Sequence, residues 1–320
     1  MSEEPADLSQ VPSEVAWIVA EEEAGQRLDA FLVPRLHWRS RTSIVAMIQE
    51  GEVDVGGEPC TRKARKLKRG ERVSVAVPPP PDPVRHPEIG RALEPRILFE
   101  DEHLLAVDKP AGLVVHPVGR TRVNTLIQGL HWLVLHGRPE PGGLPRICHR
   151  LDRETSGVIL LAKTVQARVG LQHVFEGRSV EKTYLAFVAG EPPDEGTIDA
   201  PIGSDPDSEI DLKMAVVAEG GLPARTRFTL DARYPGAAAL RVAIDTGRQH
   251  QIRVHLAHLG FPLLGDALYG AGPDPRIGRQ ALHAQRLVVP HPVLDTPLVL
   301  EAPEPEDLLA LRAALGGTRR

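Results

Sequence analysis

Cysteine is almost absent. Cys60 and Cys148 are the only two in 320 residues, they lie far apart, and neither has the paired spacing of a zinc knuckle. A disulfide framework and a structural zinc site are therefore not expected, and both thiols should be reduced. Long apolar runs are missing too: none approaches the roughly 20 residues that cross a bilayer. Met1 to Pro12 is acidic and polar, without the basic start and apolar middle of a secretory signal, so a cytoplasmic location is expected. The chain has no phosphate-cradling glycine loop, Gly142-Gly143 being too short, and no nucleotide cofactor is expected. His250, His255 and His258 are spaced by five and three, which does not converge on one helix face as i and i+4 do. No metal is expected there; phosphate contacts or core packing remain open to them.

A strong excess of charge of either sign is also lacking. Lys and Arg number 38 against 43 Asp and Glu, a net charge of −5, in an ordinary globular composition of 42% hydrophobic residues. The average hides an asymmetry. Gly25 to Val77 holds eleven Lys/Arg against six Asp/Glu, a basic stretch in a chain that is acidic elsewhere, and this makes it a candidate contact for RNA.

What is present in quantity is proline, and its clustering organises the chain. Pro78-Pro79-Pro80-Pro81, with Pro83 and Pro87, favours stiff polyproline II and cannot feed a helix or sheet interior. Four segments are expected: a flexible leader over 1–20, a small basic body over 21–78, a linker over 79–95, and a large body over 96–320. In the small body, Leu28, Phe31 and Leu32 mark a short helix that Pro34 should end. Ser40 is a good N-cap for a second helix with Ile44, Met47 and Ile48 inward and Gly51 as its stop. Val53 and Val55, then Val73, Val75 and Val77, alternate as strands. Between them runs Arg62-Lys63-Ala64-Arg65-Lys66-Leu67-Lys68-Arg69, by itself no more than a solvated face.

In the large body, Leu104 to Val107, Leu113 to Val115, Val158 to Ala162, Tyr184 to Val188, Leu240 to Ile244 and Leu298 to Leu300 read as strands. Two helices stand out. One spans about Thr164 to Phe175 with Val165, Val169 and Val174 inward; the other passes through Gln251, Val254 and Leu259 and stops at Gly260. Strands without regular crossover helices imply a mixed, mainly antiparallel α+β sheet.

The run His149-Arg150-Leu151-Asp152-Arg153-Glu154-Thr155-Ser156-Gly157 lies between a Pro/Gly-rich approach and the apolar Val158-Ile159-Leu160-Leu161-Ala162. That puts a carboxylate on a loop before a rigid strand, where functional groups are often presented, although local composition alone favours a surface Arg/Asp pair. The run resembles the signature of the RluA family of pseudouridine synthases. Asp101-Glu102-x-Leu104-x-x-Val107-x-Lys109-Pro110-x-Gly112 is similar to that family's first motif, and Glu181-Lys182-Thr183-Tyr184 to its tyrosine motif. Thr246-Gly247-Arg248-Gln249-His250-Gln251-Ile252-Arg253-Val254-His255, with Leu259-Gly260 and Gly265-Asp266-x-x-Tyr269-Gly270, resembles its C-terminal signature. The small body resembles an S4 RNA-binding domain, through Arg27-Leu28-Asp29, Ser40-Arg41, Ile48-x-x-Gly51-x-Val53-x-Val55 and Gly70-x-x-Val73.

The resemblance implies an enzyme that isomerises uridine to pseudouridine in RNA without a cofactor, with ribosomal RNA of the large subunit favoured over transfer RNA. It also implies roles. Asp152 is the catalytic carboxylate, as nucleophile at C1′ or as base at the 2′ position; Arg253 pairs with it, and Tyr184 lies against the uracil. Arg150 stacks in the space the flipped base leaves or touches a phosphate, and His149 meets the backbone or packs. Arg39, Arg41, Arg62, Lys63, Arg65, Lys66, Arg248 and His250 are the remaining candidate RNA contacts. A noncatalytic RNA-binding protein of the same fold is the alternative, but it would have been free to lose Asp152, Tyr184 and Arg253. A base-releasing glycosylase would want a second carboxylate, for which only Glu154 is close. The acidic Asp205, Asp207, Glu209 and Asp211 would repel phosphate on their flank. A monomer is expected.

Overall fold

The computed structural model describes residues 14–36, 41–76, 84–118, 121–137, 143–177, 180–206, 208, 210, 213–270 and 272–316. Ser40 with its expected N-cap, Arg39, Val77 and the prolines from Pro78 to Pro83 lie outside the described residues, as do Asp207, Glu209 and Asp211.

The chain divides into two compact units, Met1–Gly90 with His116–Gly137, and Arg91–Val115 with Arg138–Arg320. The first begins with β1 (Glu14–Ile18), α1 (Leu28–Leu32), α2 (Arg41–Gln49), β2 (Val53–Val55), β3 (Glu58–Pro59) and β4 (Arg72–Ala76). Its strands pair in the order β1-β4-β2-β3, all antiparallel. The helices close over one face, where Phe31, Ile44, Ile48, Val53 and Val73 are fully buried. Each such side chain contributes about 1.5–3 kcal/mol of apolar transfer, which is what a four-stranded sheet this short needs. Gly51, at φ 78°, supplies the left-handed residue that ends α2.

Two further helices, α3 (His86–Leu93) and α4 (Leu126–Gly137), depart from the expected boundary, because α4 lies within the range assigned to the large body yet groups with the first unit. The reason is close packing. A Cβ at Gly90 would sit 2.7 Å from the Trp132 ring, and one at Gly129 would sit 2.4 Å from Ile89, so the two helix backbones approach as only glycine allows.

The second unit holds β5 (Ile97–Glu100), β6 (Leu104–Lys109), β7 (Arg146–Ile147), β8 (Ser156–Ala162), α5 (Val165–Glu176), β9 (Glu181–Ala189), β10 (Glu195–Asp199), β11 (Ile202–Ser204), β12 (Met214–Val216), β13 (Arg225–Tyr234), β14 (Ala237–Ile244), α6 (Gln251–His258), β15 (Leu282–Pro290), β16 (Pro297–Glu301) and α7 (Glu306–Ala314). Among the described residues one ten-stranded sheet runs β10-β13-β14-β9-β15-β8-β6-β5, with β16 beside β15 and β7 beside β8. Every pairing in it is antiparallel except β15 with β8. This is the mixed, mainly antiparallel α+β sheet expected. β8 is buried along its whole length, which explains its unbroken apolar run. At the parallel contact Gly157 (φ 111°) faces Ala284, and a Cβ there would lie 2.2 Å from the Ala284 carbonyl oxygen.

Two readings of the sequence are corrected. Leu113 to Val115 forms no strand: Gly112 turns the chain at φ 81°, and the Leu113 carbonyl is taken by the Lys109 ammonium at 2.9 Å. In α5 the inward residues are Ala167 and Leu171, an i, i+4 pair, with Val174 partly buried against the same core. Val165 and Val169 are 55% and 44% exposed. Thr164 caps this helix, its Oγ1 accepting from the Ala167 amide at 3.2 Å.

Candidate active site

The loop that carries Asp152 is held from behind at three successive carbonyls. The Asp152 carbonyl accepts from the Thr155 amide at 3.2 Å. The Arg153 carbonyl accepts from the Gly112 amide and from Lys109 Nζ, each at 2.9 Å. The Glu154 carbonyl accepts from Arg279 at 3.0 Å. Lys109, at the end of β6, is fully buried and spends its other two ammonium hydrogens on the carbonyls of Pro110 and Leu113. Burial pushes its pKa down to about 7, against Glu154, Asp152 and Asp108, whose charges favour the ammonium. Arg279 reaches further: it also donates to the Gln280 and Leu282 carbonyls and to Ser156 Oγ, and forms a bidentate pair with Asp307 of α7. A backbone fixed at consecutive residues by buried cations cannot swing, so the Asp152 side chain starts from a set position.

The carboxylate meets α6. Its Oδ2 accepts from Arg253 at 3.1 Å and from the Gln280 amide at 3.4 Å; its Oδ1 has no hydrogen-bond partner among the described residues. Arg253 is itself clamped on its far side by Asp266, whose two oxygens take its Nε and a terminal nitrogen at 2.7 and 2.9 Å. Burial pushes Asp266 up, but the Arg253 hydrogen bonds and charge, with the Leu268 and Tyr269 amides, outweigh it and hold its carboxyl below the usual range. Asp266 can turn in here because Gly265 (φ 69°) precedes it; a Cβ at Gly265 would lie 2.2 Å from the Arg279 carbonyl oxygen.

The turn before α6 is built by Gln251. Its Oε1 accepts from Thr246 Oγ1 and the Arg248 amide, and its Nε2 donates to the Arg225 carbonyl and Thr226 Oγ1. His250 takes the left-handed conformation (φ 55°) at the helix start and lines the cleft. Its pKa is lowered by burial, and its Nδ1 is hydrogen-bonded at 2.8 Å to the Tyr269 phenol, which also accepts from the Met214 amide. His255 uses both ring nitrogens, with Thr226 Oγ1 and the Ala200 carbonyl, and has none left for a metal.

Around Asp152 these elements leave a cleft of about 80 Å³, lined also by Arg150, Tyr184, Ile244, Arg248 and His250. Burial, and after it the negative charge of Asp152, pushes the Tyr184 phenol well above its ordinary value, so it stays protonated at neutral pH. An apolar-faced, protonated ring beside one partnered and one unpartnered carboxylate oxygen suits a flat, neutral base attached to a sugar.

The family of RNA pseudouridylate synthases matches residues 103–258, and the S4 domain family matches residues 26–73. A ribosomal large subunit pseudouridine synthase D from Nitrosomonas europaea is 39% identical over 91% of this chain and 85% of that protein. The chain belongs to the RNA pseudouridylate synthase family. A second relative, the ribosomal large subunit pseudouridine synthase D of Xanthomonas campestris pv. campestris, is 39% identical over 93% of this chain and 91% of that protein. Human RNA pseudouridylate synthase domain containing 4 matches in structure with a TM-score of 0.60 at 28% identity, covering 72% of this chain and 97% of that one. Family membership makes the chain an RNA pseudouridine synthase of RluA type with an S4 domain, the resemblance drawn from its motifs.

The family signature brings Asp152, Tyr184, Arg253, Arg150, Arg248 and His250 to one cleft. Arg150 is exposed there, and Arg248 is half-buried with its Nε donating to the Pro223 carbonyl. Of the two readings of His149, an RNA contact or packing, the geometry favours packing. Its Nε2 accepts from the Leu160 amide at 2.9 Å, its ring packs on Phe175, and burial with the nearby Lys182 charge lowers its pKa to about 3. A neutral ring with that nitrogen occupied braces β8 and is no cation for phosphate. In the S4 unit Arg41 is exposed at the start of α2, and Arg62, Lys63 and Lys66 are exposed between β3 and β4. Arg65 already pairs with Glu71 at 3.1 Å. No helix among the described residues is long and apolar enough to cross a membrane. Sequence reading gave no role to Gln280, Asp266, Lys109 or Arg279; the last three carried one signal, a charge set among apolar or glycine-rich neighbours.

Proposed function

We propose that this pseudouridine synthase converts uridines of large-subunit ribosomal RNA to pseudouridine, with Asp152 as its catalytic carboxylate. The observation that carries the reading is the asymmetry of Asp152: Oδ2 is tied to Arg253 and Gln280, while Oδ1 accepts no hydrogen bond among the described residues and belongs to a residue lining the cleft with Tyr184. The names of the bacterial relatives support the ribosomal substrate.

The reaction breaks the N1 to C1′ bond, turns the uracil and rejoins it through C5, with no net redox change. Oδ1 serves either route, by bonding to C1′ or by taking the 2′ proton, and Arg253 stabilises the carboxylate each time it is released. Tyr184 lies against the turning ring, and as a protonated phenol it can hold that ring in place. The target must leave its stack to reach Asp152, and the exposed Arg150 fills the vacancy or binds the flanking backbone. The basic exposed side chains of the S4 domain hold the surrounding RNA. The protein acts as a cytoplasmic monomer in this account. The test is to incubate an unmodified transcript of large-subunit ribosomal RNA with the protein and map pseudouridine by carbodiimide labelling and primer extension. New stops are expected with the wild type and none with Asp152→Asn; an absence of stops with the wild type contradicts the substrate.

A further inference from the structure

Lys182 lies two residues before Tyr184 on β9, so both side chains leave the same face of the strand, about 7 Å apart along it. Its stem crosses Phe175, with Nζ 5.1 Å from the ring centroid, and its tip reaches the cleft rim, where a Cβ on Gly247 would lie 3.7 Å from Nζ. Gly247 itself lines the cleft with Arg150 and Arg248. Lys182 is half-buried, and among the described residues its ammonium has neither a carboxylate nor a hydrogen-bond acceptor. Its sequence neighbour Glu181 belongs to the other face, 3.7 Å from Arg286. His149, whose ring packs on the same Phe175, is neutral and offers no counter-charge.

A cation withdrawn from water without a counter-ion is costly, and an aromatic face repays only part of that. Burial accordingly lowers the Lys182 pKa. An anion delivered with the substrate would complete the site. The substrate of this cleft carries one on each side of its sugar.

We propose that Lys182 binds a backbone phosphate of the RNA adjoining the uridine that enters the cleft, fixing the sugar in front of Asp152. The proposal rests on the reading of the cleft as the uridine site. It gives Lys182 a different task from Arg150, which is exposed and fits many phosphates, and from Arg248, whose Nε already donates to the Pro223 carbonyl; a half-buried lysine at the rim with no hydrogen-bond acceptor among the described residues fits one. Point-charge recognition suits lysine, and the aromatic contact limits its reach.

The test uses the full chain. Lys182→Met keeps an apolar stem on Phe175 and removes the charge, and Lys182→Arg restores a charge with altered geometry. Binding is measured in the Asp152→Asn background to an unmodified transcript of large-subunit ribosomal RNA, between 50 and 300 mM salt on the order used for such slopes. Lys182→Met should weaken binding about tenfold and reduce the slope of log K against log salt by about 1, the signature of one lost phosphate contact. In phosphate-ethylation interference with Asp152 intact, modification at a phosphate next to the converted uridine should block the wild type and make no further difference to Lys182→Met. In steady state the loss should fall on KM more than on kcat, and Lys182→Arg should recover part of it. Unchanged slope and unchanged interference in Lys182→Met overturn the proposal, as does a fall in kcat with binding intact. Failure of the wild type to convert any uridine in the transcript strikes the function instead, so the two failures are separable.

Discussion

Replacing Arg253 by Met tests the Asp152–Arg253–Asp266 chain most severely. In the wild type one guanidinium neutralises two carboxylates: Asp266, whose side chain is fully buried, and Asp152, which is partly exposed. Methionine fills similar volume but leaves Asp266 charged, buried and held only by the Leu268 and Tyr269 amides. Removing one member of a buried pair costs about 3–5 kcal/mol, because the orphaned charge has lost its solvent and its partner. For a unit of this size about 1 kcal/mol moves Tm by roughly 2–4 °C, so a fall of about 6–20 °C is expected in thermal unfolding. Activity at neutral pH should fall about 10²- to 10³-fold, the range for loss of a preorganised donor to a reacting charge. Adding Asp266→Asn removes the orphaned charge, and the double variant should regain several degrees of Tm and no activity. Recovery of activity along with stability would refute the reasoning, because it would mean that Arg253 serves folding alone.

Three further outcomes are expected. Tyr184→Phe should bind the RNA within about threefold of the wild type, whereas Tyr184→Ala should lose about 1–3 kcal/mol of stacking, read by filter binding in the Asp152→Asn background; equal losses would make the hydroxyl the important group. Gln280→Leu should leave Tm nearly unchanged and lower kcat with little effect on KM, because it removes a donor from Asp152 and from Thr155, and an effect confined to Tm would make Gln280 structural. His149 is half-buried and His283 fully buried, and desolvation lowers their pKa values to about 3 and about 4, below the unfolded value near 6.5. Their contribution to stability is present above about pH 6.5 and is lost as pH falls towards those lower values, because the unfolded chain takes up protons first. Urea unfolding from pH 7 to 4 should show that decline, and His283→Gln should make it shallower; an unchanged slope would contradict it.

Much of the fold could be read in the residues because burial leaves a period. β8 shows as an unbroken apolar run and β2 as Val53 alternating with Val55, and both lie where that pattern puts them. The errors have the same physical source. Val165 and Val169 share a helix face, but the sheet takes the stripe of Ala167 and Leu171, which is less apolar and packs closer. Leu113 to Val115 is as apolar as a strand, yet its carbonyl is needed by a buried lysine, a demand no local pattern displays. The site was legible through motif residues scattered along the chain. Its scaffolding was not, since the contact of Gln280 with Asp152 joins positions 128 residues apart, and nothing near Gln280 in sequence distinguishes it from a solvated glutamine.

The central claim is that the carboxylate of Asp152 performs the isomerisation. Asp152→Asn preserves shape and one oxygen while removing the charge, so the variant should unfold within about 2 °C of the wild type by the rule that small polar swaps at partly exposed sites cost little. The decisive measurement is a time course of pseudouridine formation in large-subunit ribosomal RNA with each protein, read by carbodiimide stops. Stops that accumulate with the wild type and never appear with folded Asp152→Asn are the predicted result; conversion by Asp152→Asn at the wild-type rate would contradict the account.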